Sequence, residues 1–301
     1  MNIRSILCPT DFSDASRHAL DHAVAIAKWY SARVVLLHAH RPAPAVVAAL
    51  VSTARDIDDA GTAEERRQLA RAAGALTRDA GARIQGVEVV TKIVEGGAAD
   101  AITAAAAAES FDLVVIGTRG ANGLEHLVLG SVTETVLRRV TCPVLTVPPR
   151  VQATSTLPYR RILCPIDFSA SSLAGLQLAF AFAQEGDAEL TLLHVLDDPD
   201  ENELFVPRPY DVHQHHAHRE QHALQNLDQL IPQPVRDWSS PRIRVASGKP
   251  YEEILAAAGQ NRADLIVVGV QGRKPLDLTL FGSTTNQVVR RATCPVLTVR
   301  R

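Results

Sequence analysis

Long apolar runs are missing from this chain. No stretch approaches the roughly 18 apolar residues of a membrane-spanning helix, so no span is predicted. The apolar run near the start, in "MNIRSILCPTDFS", is far shorter than a signal-peptide core and polar residues follow at once. A cytoplasmic location is the expectation. A charge surplus is also missing: 31 Lys and Arg stand against 33 Asp and Glu, a net charge of -2. That balance argues against a dedicated partner of nucleic acid or of a membrane surface. Cysteine is scarce. Cys8, Cys142, Cys164 and Cys294 each sit beside a proline in an apolar run, and no two have short ligand spacing. A disulfide framework and a cysteine metal site are thereby disfavoured, and small buried core residues are expected. Nor does any Gly-x-x-x-x-Gly-Lys-Ser/Thr occur, which excludes a P-loop NTPase.

What is present is a pattern written twice. "ILCPTDFSDAS" from Ile6 returns as "ILCPIDFSASS" from Ile162, and "VVLLHAH" returns as "LTLLHVL". "RRVTCPVLTV" from Arg138 returns as "RRATCPVLTV" from Arg290. Collinear similarity on this scale marks a duplicated domain, since solenoid repeats are far shorter. The 301 residues, 46% apolar and 21% charged, suffice for two domains with real cores. The expected division is residues 1–148 and 158–301, with a proline-rich polar linker at 149–157 inside "PPRVQATSTLP".

Within each half, strands alternate with helices. In the first, "SILCP", "RVVLLHA", "VEVVTKIV", "DLVVIG" and "PVLTV" read as strands. Ser13 is a plausible N-cap, after which Leu20, Ala23, Val24 and Ala27 recur at helical spacing. Further helices are predicted at about 62–79, 98–109 and 131–139. In the second half Leu176, Ala179, Phe180 and Ala183 repeat the first helix's stripe. Apolar strands separated by helices imply two open parallel sheets covered on both faces.

Glycines gather where such a sheet binds ligands, beyond the carboxyl ends of its strands. Gly117 and Gly120 follow the fourth strand, and Gly130-Ser131 opens the next helix. Glycine permits close approach of a ligand to the backbone, and free amides at a helix start favour anions. The two bends therefore form a candidate polyphosphate cradle. Asp11, at the end of the first strand, suits ribose or adenine donors, or a divalent cation. The spacing Gly-x-x-Gly-x9-Gly-Ser recurs at Gly269, Gly272, Gly282 and Ser283.

On "CPTDFS", "LLHA", the glycine spacing and "CPVLTV", the chain resembles a tandem universal stress protein of the ATP-binding subgroup. The resemblance covers nearly the whole chain apart from the linker. It implies two Rossmann-like sheets, akin to adenine nucleotide alpha hydrolases, and a stress-response regulator that binds ATP, with or without Mg2+, and turns it over little or not at all. Carried over by motif, the first site comprises Pro9, Thr10, Asp11, Ala39, Gly117, Gly120, Gly130, Ser131 and Val132. The second comprises Asp167, Val195, Gly269, Gly272, Gly282, Ser283 and Thr284. It also implies pairing through the "PVLTV" strand, giving a pseudo-dimer of the two halves and a route to a homodimer. No catalytic residue stands out. Slow hydrolysis or autophosphorylation at Ser131 or Ser283 follows only by analogy. An interaction module without nucleotide binding is the alternative, and a nucleotidyltransferase or pyrophosphatase lacks its motifs.

The second half departs from the first. Ile166 replaces Thr10, and Pro275, preceded by Arg273-Lys274, replaces Gly123. The second site is expected to be weaker or to take a different nucleotide. "FVPRPY" at 205–210 reads as a surface connection. His38 and His194 read as satisfied buried histidines, and the pairs Arg138-Arg139 and Arg290-Arg291 as structural cations late in helices. "HQHHAHREQH" holds His213, His215, His216, His218 and His222, with His215, His218 and His222 at spacings of one helical face. A transition-metal site is one reading and an exposed polar face is the preferred one.

Overall fold

The computed structural model describes residues 3–40, 67, 71, 87–118, 129–149, 159–197, 212–270 and 282–300. The chain divides into two compact units, Met1–Ser155 and Thr156–Arg301. In the first unit the described elements are β1 (Ser5–Pro9), α1 (Asp14–Tyr30), β2 (Arg33–His40), β3 (Val89–Glu95), α2 (Ala98–Ala108), β4 (Leu113–Gly117), α3 (Ser131–Arg139) and β5 (Val144–Val147). In the second they are β6 (Arg161–Pro165), α4 (Ala170–Gly186), β7 (Glu189–Leu196), α5 (Val212–Gln229), α6 (Gln233–Trp238), β8 (Arg242–Ser247), α7 (Pro250–Gln260), β9 (Leu265–Gly269), α8 (Ser283–Arg291) and β10 (Val296–Val299). The helix expected at 62–79 and the connection at 205–210 lie outside the described residues, except that Arg67 and Arg71 are helical.

Both units are parallel sheets of one topology. The order is β3-β2-β1-β4-β5 in the first and β8-β7-β6-β9-β10 in the second. The chain thus reverses direction across the sheet at β1/β4 and at β6/β9. In the first unit α1 packs on β1, β2 and β4, while α2 packs against α3. In the second, α4 packs on β6, β9 and β10, while α7 packs against α8. The strands at each switch point are buried along their whole length, or all but their first or last residue. The strands β3 and β8 are half-exposed.

Local chemistry places the helices. The Ser13 hydroxyl accepts from the Ser16 N–H at 3.3 Å and caps α1, and Ser169 does the same for Ser172 and α4 at 3.2 Å. Both helices end on a left-handed residue, Ser31 (φ 52°) and Asp187 (φ 47°), whose N–H groups close the last turn. At the opposite edge of the sheet Asp112 Oδ2 accepts the N–H groups of Arg4 (2.8 Å) and Ser5 (3.0 Å). Asp264 repeats the clip on Arg160 (2.9 Å) and Arg161 (2.8 Å). Each aspartate ties the start of one central strand to the other, so the register at the switch point is set from behind.

All four cysteines are free thiols. Cys8, Cys164 and Cys294 are buried as expected, and Cys142 is half-buried. Burial pushes the Cys142 thiol up to about 11 and Cys294 to about 12, so neither is a thiolate at neutral pH. The arginine pairs are structural: Arg138 meets Glu134 at 2.9 Å, Arg139 meets Asp100 at 2.8 Å, and Arg291 lies 5.1 Å above the Tyr251 ring. Gly259, inside α7, has nothing within 4 Å of where a Cβ would stand. Gly259→Ala is therefore expected to raise stability by about 0.5–1 kcal/mol, read from the denaturation midpoint.

Candidate functional site

The switch point opens because its two strands part early. β1 pairs with β2 at five positions, Ser5 to Pro9, but with β4 only at Ile6–Leu113 and Leu7–Val114. Proline has no N–H to extend the ladder. β6 and β9 likewise pair only at Ile162–Leu265 and Leu163–Ile266. The carboxyl ends of β1 and β4 therefore flank a crevice, the usual ligand position in an open α/β sheet.

On the β1 side the chain turns sharply. Phe12 adopts φ 65° and Phe168 φ 63°, an uncommon conformation for a bulky residue, found at the same place in both units. The turn is held from three directions. Asp11 Oδ1 accepts from the Ser13 N–H (3.1 Å) and hydroxyl (2.6 Å). Thr10 Oγ1 accepts from the Phe12 N–H (3.1 Å) and pairs with Ser16 Oγ at 3.1 Å. His38 Nδ1 lies 2.9 Å from the Thr10 carbonyl oxygen. A carbonyl only accepts, so Nδ1 carries the proton. The Phe12 and His38 rings meet at 4.6 Å with a tilt of 38°. In the second unit Asp167 Oδ1 accepts from the Ser169 N–H (3.0 Å), His194 Nδ1 donates to the Ile166 carbonyl (2.6 Å), and the Phe168 and His194 rings meet at 4.9 Å with a tilt of 55°. The hydroxyl lost at Ile166 is thus not needed for the turn itself. Both histidines are satisfied, as expected, but only His194 is buried and His38 is half-buried.

On the β4 side the two ends of the glycine segment come together. Thr118 N–H donates to the Val147 carbonyl (3.0 Å), and Gly130 N–H donates to the Thr118 carbonyl (2.9 Å). Thr133 Oγ1 donates to the Gly117 carbonyl at 2.8 Å. The second unit repeats every bond: Val270 to Val299 (2.9 Å), Gly282 to Val270 (2.9 Å) and Thr285 Oγ1 to Gly269 (2.7 Å). The start of α3 is thereby fixed against the end of β4. Unlike α1 and α4, helices α3 and α8 begin on a glycine with no side-chain cap. The N–H groups of Ser131, Val132 and Thr133 have no carbonyl within their own helix. Ser131 and Ser283 are exposed, and Val132 and Thr284 are half-buried.

The remaining candidates stand along the same edge. β2 runs beyond its last β1 partner, Leu37, so Ala39 projects past the β1 ladder. Val195 does so on β7, past Leu193. Pro9, Thr10, Asp11, Ala39, Gly117, Gly130, Ser131 and Val132 are thus on one rim, as are Asp167, Val195, Gly269, Gly282, Ser283 and Thr284. Gly120 and Gly272 lie outside the described residues, as do Gly123 and the Arg273–Pro275 stretch. Gly117, Gly269 and Gly282 also have a reason of their own. A Cβ on Gly117 would stand 3.0 Å from the Ala15 carbonyl oxygen, one on Gly269 2.6 Å from the Ser172 nitrogen, and one on Gly282 2.9 Å from the Val270 carbonyl oxygen. The left-handed phenylalanines and their histidine props were not singled out in the sequence as part of the site. The repeated Asp-Phe-Ser and Leu-Leu-His triplets were the signal that could have found them.

A doubly wound α/β unit, present twice, with an uncapped helix pinned at each switch point, defines the class of this protein. A model described as the universal stress protein family matches residues 2–148 and again 158–300. The chain belongs to that family and carries two copies of its domain. A universal stress protein of Mycolicibacterium smegmatis is 29% identical over 307 residues, spanning 98% of this chain and 96% of that protein. Universal stress protein MJ0531 of Methanocaldococcus jannaschii is 34% identical over 144 residues, 48% of this chain and 81% of its own length. The crystal structure of a universal stress protein from Archaeoglobus fulgidus shares the fold, with a TM-score of 0.67 at 22% identity, over 99% of this chain and 98% of that one. Among the described residues no helix is long and apolar enough to cross a membrane.

Proposed function

We propose that each unit binds an adenine nucleotide, ATP in the first, with the phosphates on the amides that open α3 and α8. The chain then acts as a nucleotide-dependent stress-response regulator with little or no turnover. One observation carries the reading. The helices α3 and α8 begin on Gly130 and Gly282 without a side-chain cap, and hydrogen bonds fasten their starts to the ends of β4 and β9 at the switch point. Free amides and the positive end of a helix dipole, set at a crevice, favour a phosphate. Ala39 and Val195 offer backbone groups to the base, and Asp11 and Asp167 lie where the nucleoside would sit. Mg2+ would join the phosphates, which supply its oxygens. Ile166 in place of Thr10 makes the second site the weaker.

Ser131→Glu tests this. A carboxylate in the first turn suits the helix dipole, so folding should be unharmed. Set about 6 Å from a phosphate at an effective dielectric of about 40, it opposes binding by about 1.4 kcal/mol. ATP affinity measured by calorimetry is expected to fall roughly tenfold, with the melting temperature held or raised. Unchanged affinity would overturn the site. Equal affinity for ATP and cAMP, which lacks the outer phosphates, would overturn the polyphosphate cradle. No binding of either, with no nucleotide released on denaturing fresh protein, would favour the interaction module.

A further inference from the structure

We propose that the exposed face of α5 is a transition-metal site, with the imidazoles of His218 and His222 as ligands and Asn226 as the positioning residue. His218 and His222 are one helical turn apart, where Cβ atoms are about 5–6 Å from each other. That is the spacing by which paired helical histidines hold zinc at about 2.0–2.1 Å. Both side chains are exposed, while Ala223 and Leu227 on the adjoining face are buried and fix the helix. The pair is therefore mounted on a rigid element and faces solvent.

The second observation is the partner of His222. Its Nδ1 lies 3.1 Å from the Asn226 amide nitrogen, a further turn along α5. A metal-bound imidazole needs a lone pair on one ring nitrogen and a held N–H on the other. Rotating the Asn226 amide by about 180° presents Oδ1 in place of Nδ2 at the same position. Nδ1–H then donates to Oδ1 and Nε2 turns its lone pair outward, in the ligating form. Arg219, the neighbouring cation, directs its guanidinium to the Asp197 carbonyl at 3.4 Å. His216 belongs to another contact, with Nε2 2.8 Å from Ser247 Oγ. Among the described residues no three His, Cys, Asp or Glu side chains form a metal-binding group. The site thus has two protein ligands from these residues, and water completes the shell. Neutral imidazoles in an open site suit Cu2+ above Ni2+ and Zn2+.

Equilibrium dialysis of the full chain against Cu2+, Ni2+ and Zn2+ tests the site. One equivalent is expected, tightest for Cu2+, and lost in both His218→Ala and His222→Ala but kept in His216→Ala. Circular dichroism checks that α5 is intact in each variant. Asn226→Asp is expected to tighten binding about tenfold and Asn226→Leu to weaken it about tenfold. An equivalent that survives His218→Ala and His222→Ala, or that disappears with His216→Ala alone, overturns the site. Equal affinity in the two Asn226 variants overturns the positioning role.

Discussion

Gly269→Ala is expected to destabilise the second unit by about 3 kcal/mol, a large share of a domain's stability. The added Cβ would stand 2.6 Å from the Ser172 nitrogen, 2.7 Å from Ser171 Oγ and 2.8 Å from the Ser171 carbonyl carbon. Two of these atoms are backbone in the first turn of α4, so the clash is not relieved by swinging a side chain aside. Either α4 lifts from β9 or the β9 backbone shifts, and close-packed interiors resist both. Gly117→Ala, whose nearest contact would be 3.0 Å, should cost less. The measurement can resolve the two units. The chain has two tryptophans, Trp29 in α1 and Trp238 in α6, one per unit. In a Trp29→Phe background the emission of Trp238 follows the second unit, and in Trp238→Phe that of Trp29 follows the first. The Trp238 transition should move to lower denaturant in Gly269→Ala. A midpoint unchanged there would contradict the packing account of this glycine.

The central strands are legible because each is a short apolar run, and α1 because Ser13 and the stripe at Leu20, Ala23, Val24 and Ala27 agree. Duplication carries these assignments to the motifs that return in the second half, while α6 and β8 carry no such motif. The glycine spacing marks the carboxyl edge of the sheet, and packing gives Gly117 and Gly269 a further reason that the spacing does not carry. Spacing alone does not reveal that the first turns of α1 and α4 lie across Gly117 and Gly269, because that contact joins residues about a hundred positions apart. The turn after β1 was hidden for a related cause. A phenylalanine at positive φ breaks a local preference, and the histidine that supports it comes from the next strand. Asp11 is similarly double-edged. The sequence offers it to a ligand, and the folded chain first uses Oδ1 to hold Ser13. A nucleoside contact at Asp11 would therefore be built on a carboxylate already oriented by its own turn. This is the kind of support that makes a binding group effective.

Acid should weaken the first unit through His22 and leave the second without that loss. His22 is 3% exposed on the inner face of α1, and Leu178 takes the equivalent place in α4. Burial, and then the nearby His18, lower its pKa from 6.5 to about 4. Above pH 6.5 His22 is neutral both folded and unfolded, and it adds no pH dependence. Between 6.5 and 4 the unfolded chain takes up a proton that the folded chain refuses. Stability therefore falls as pH falls, by up to about 1.4 kcal/mol per unit and about 3 kcal/mol in all. Below about 4 both states are protonated and the loss from this group stops. Urea midpoints followed by Trp29, in the Trp238→Phe background, should drop across this window. His22→Leu, which copies the second unit, should flatten the drop. Equal pH slopes for the histidine and leucine forms would assign the acid sensitivity to other groups.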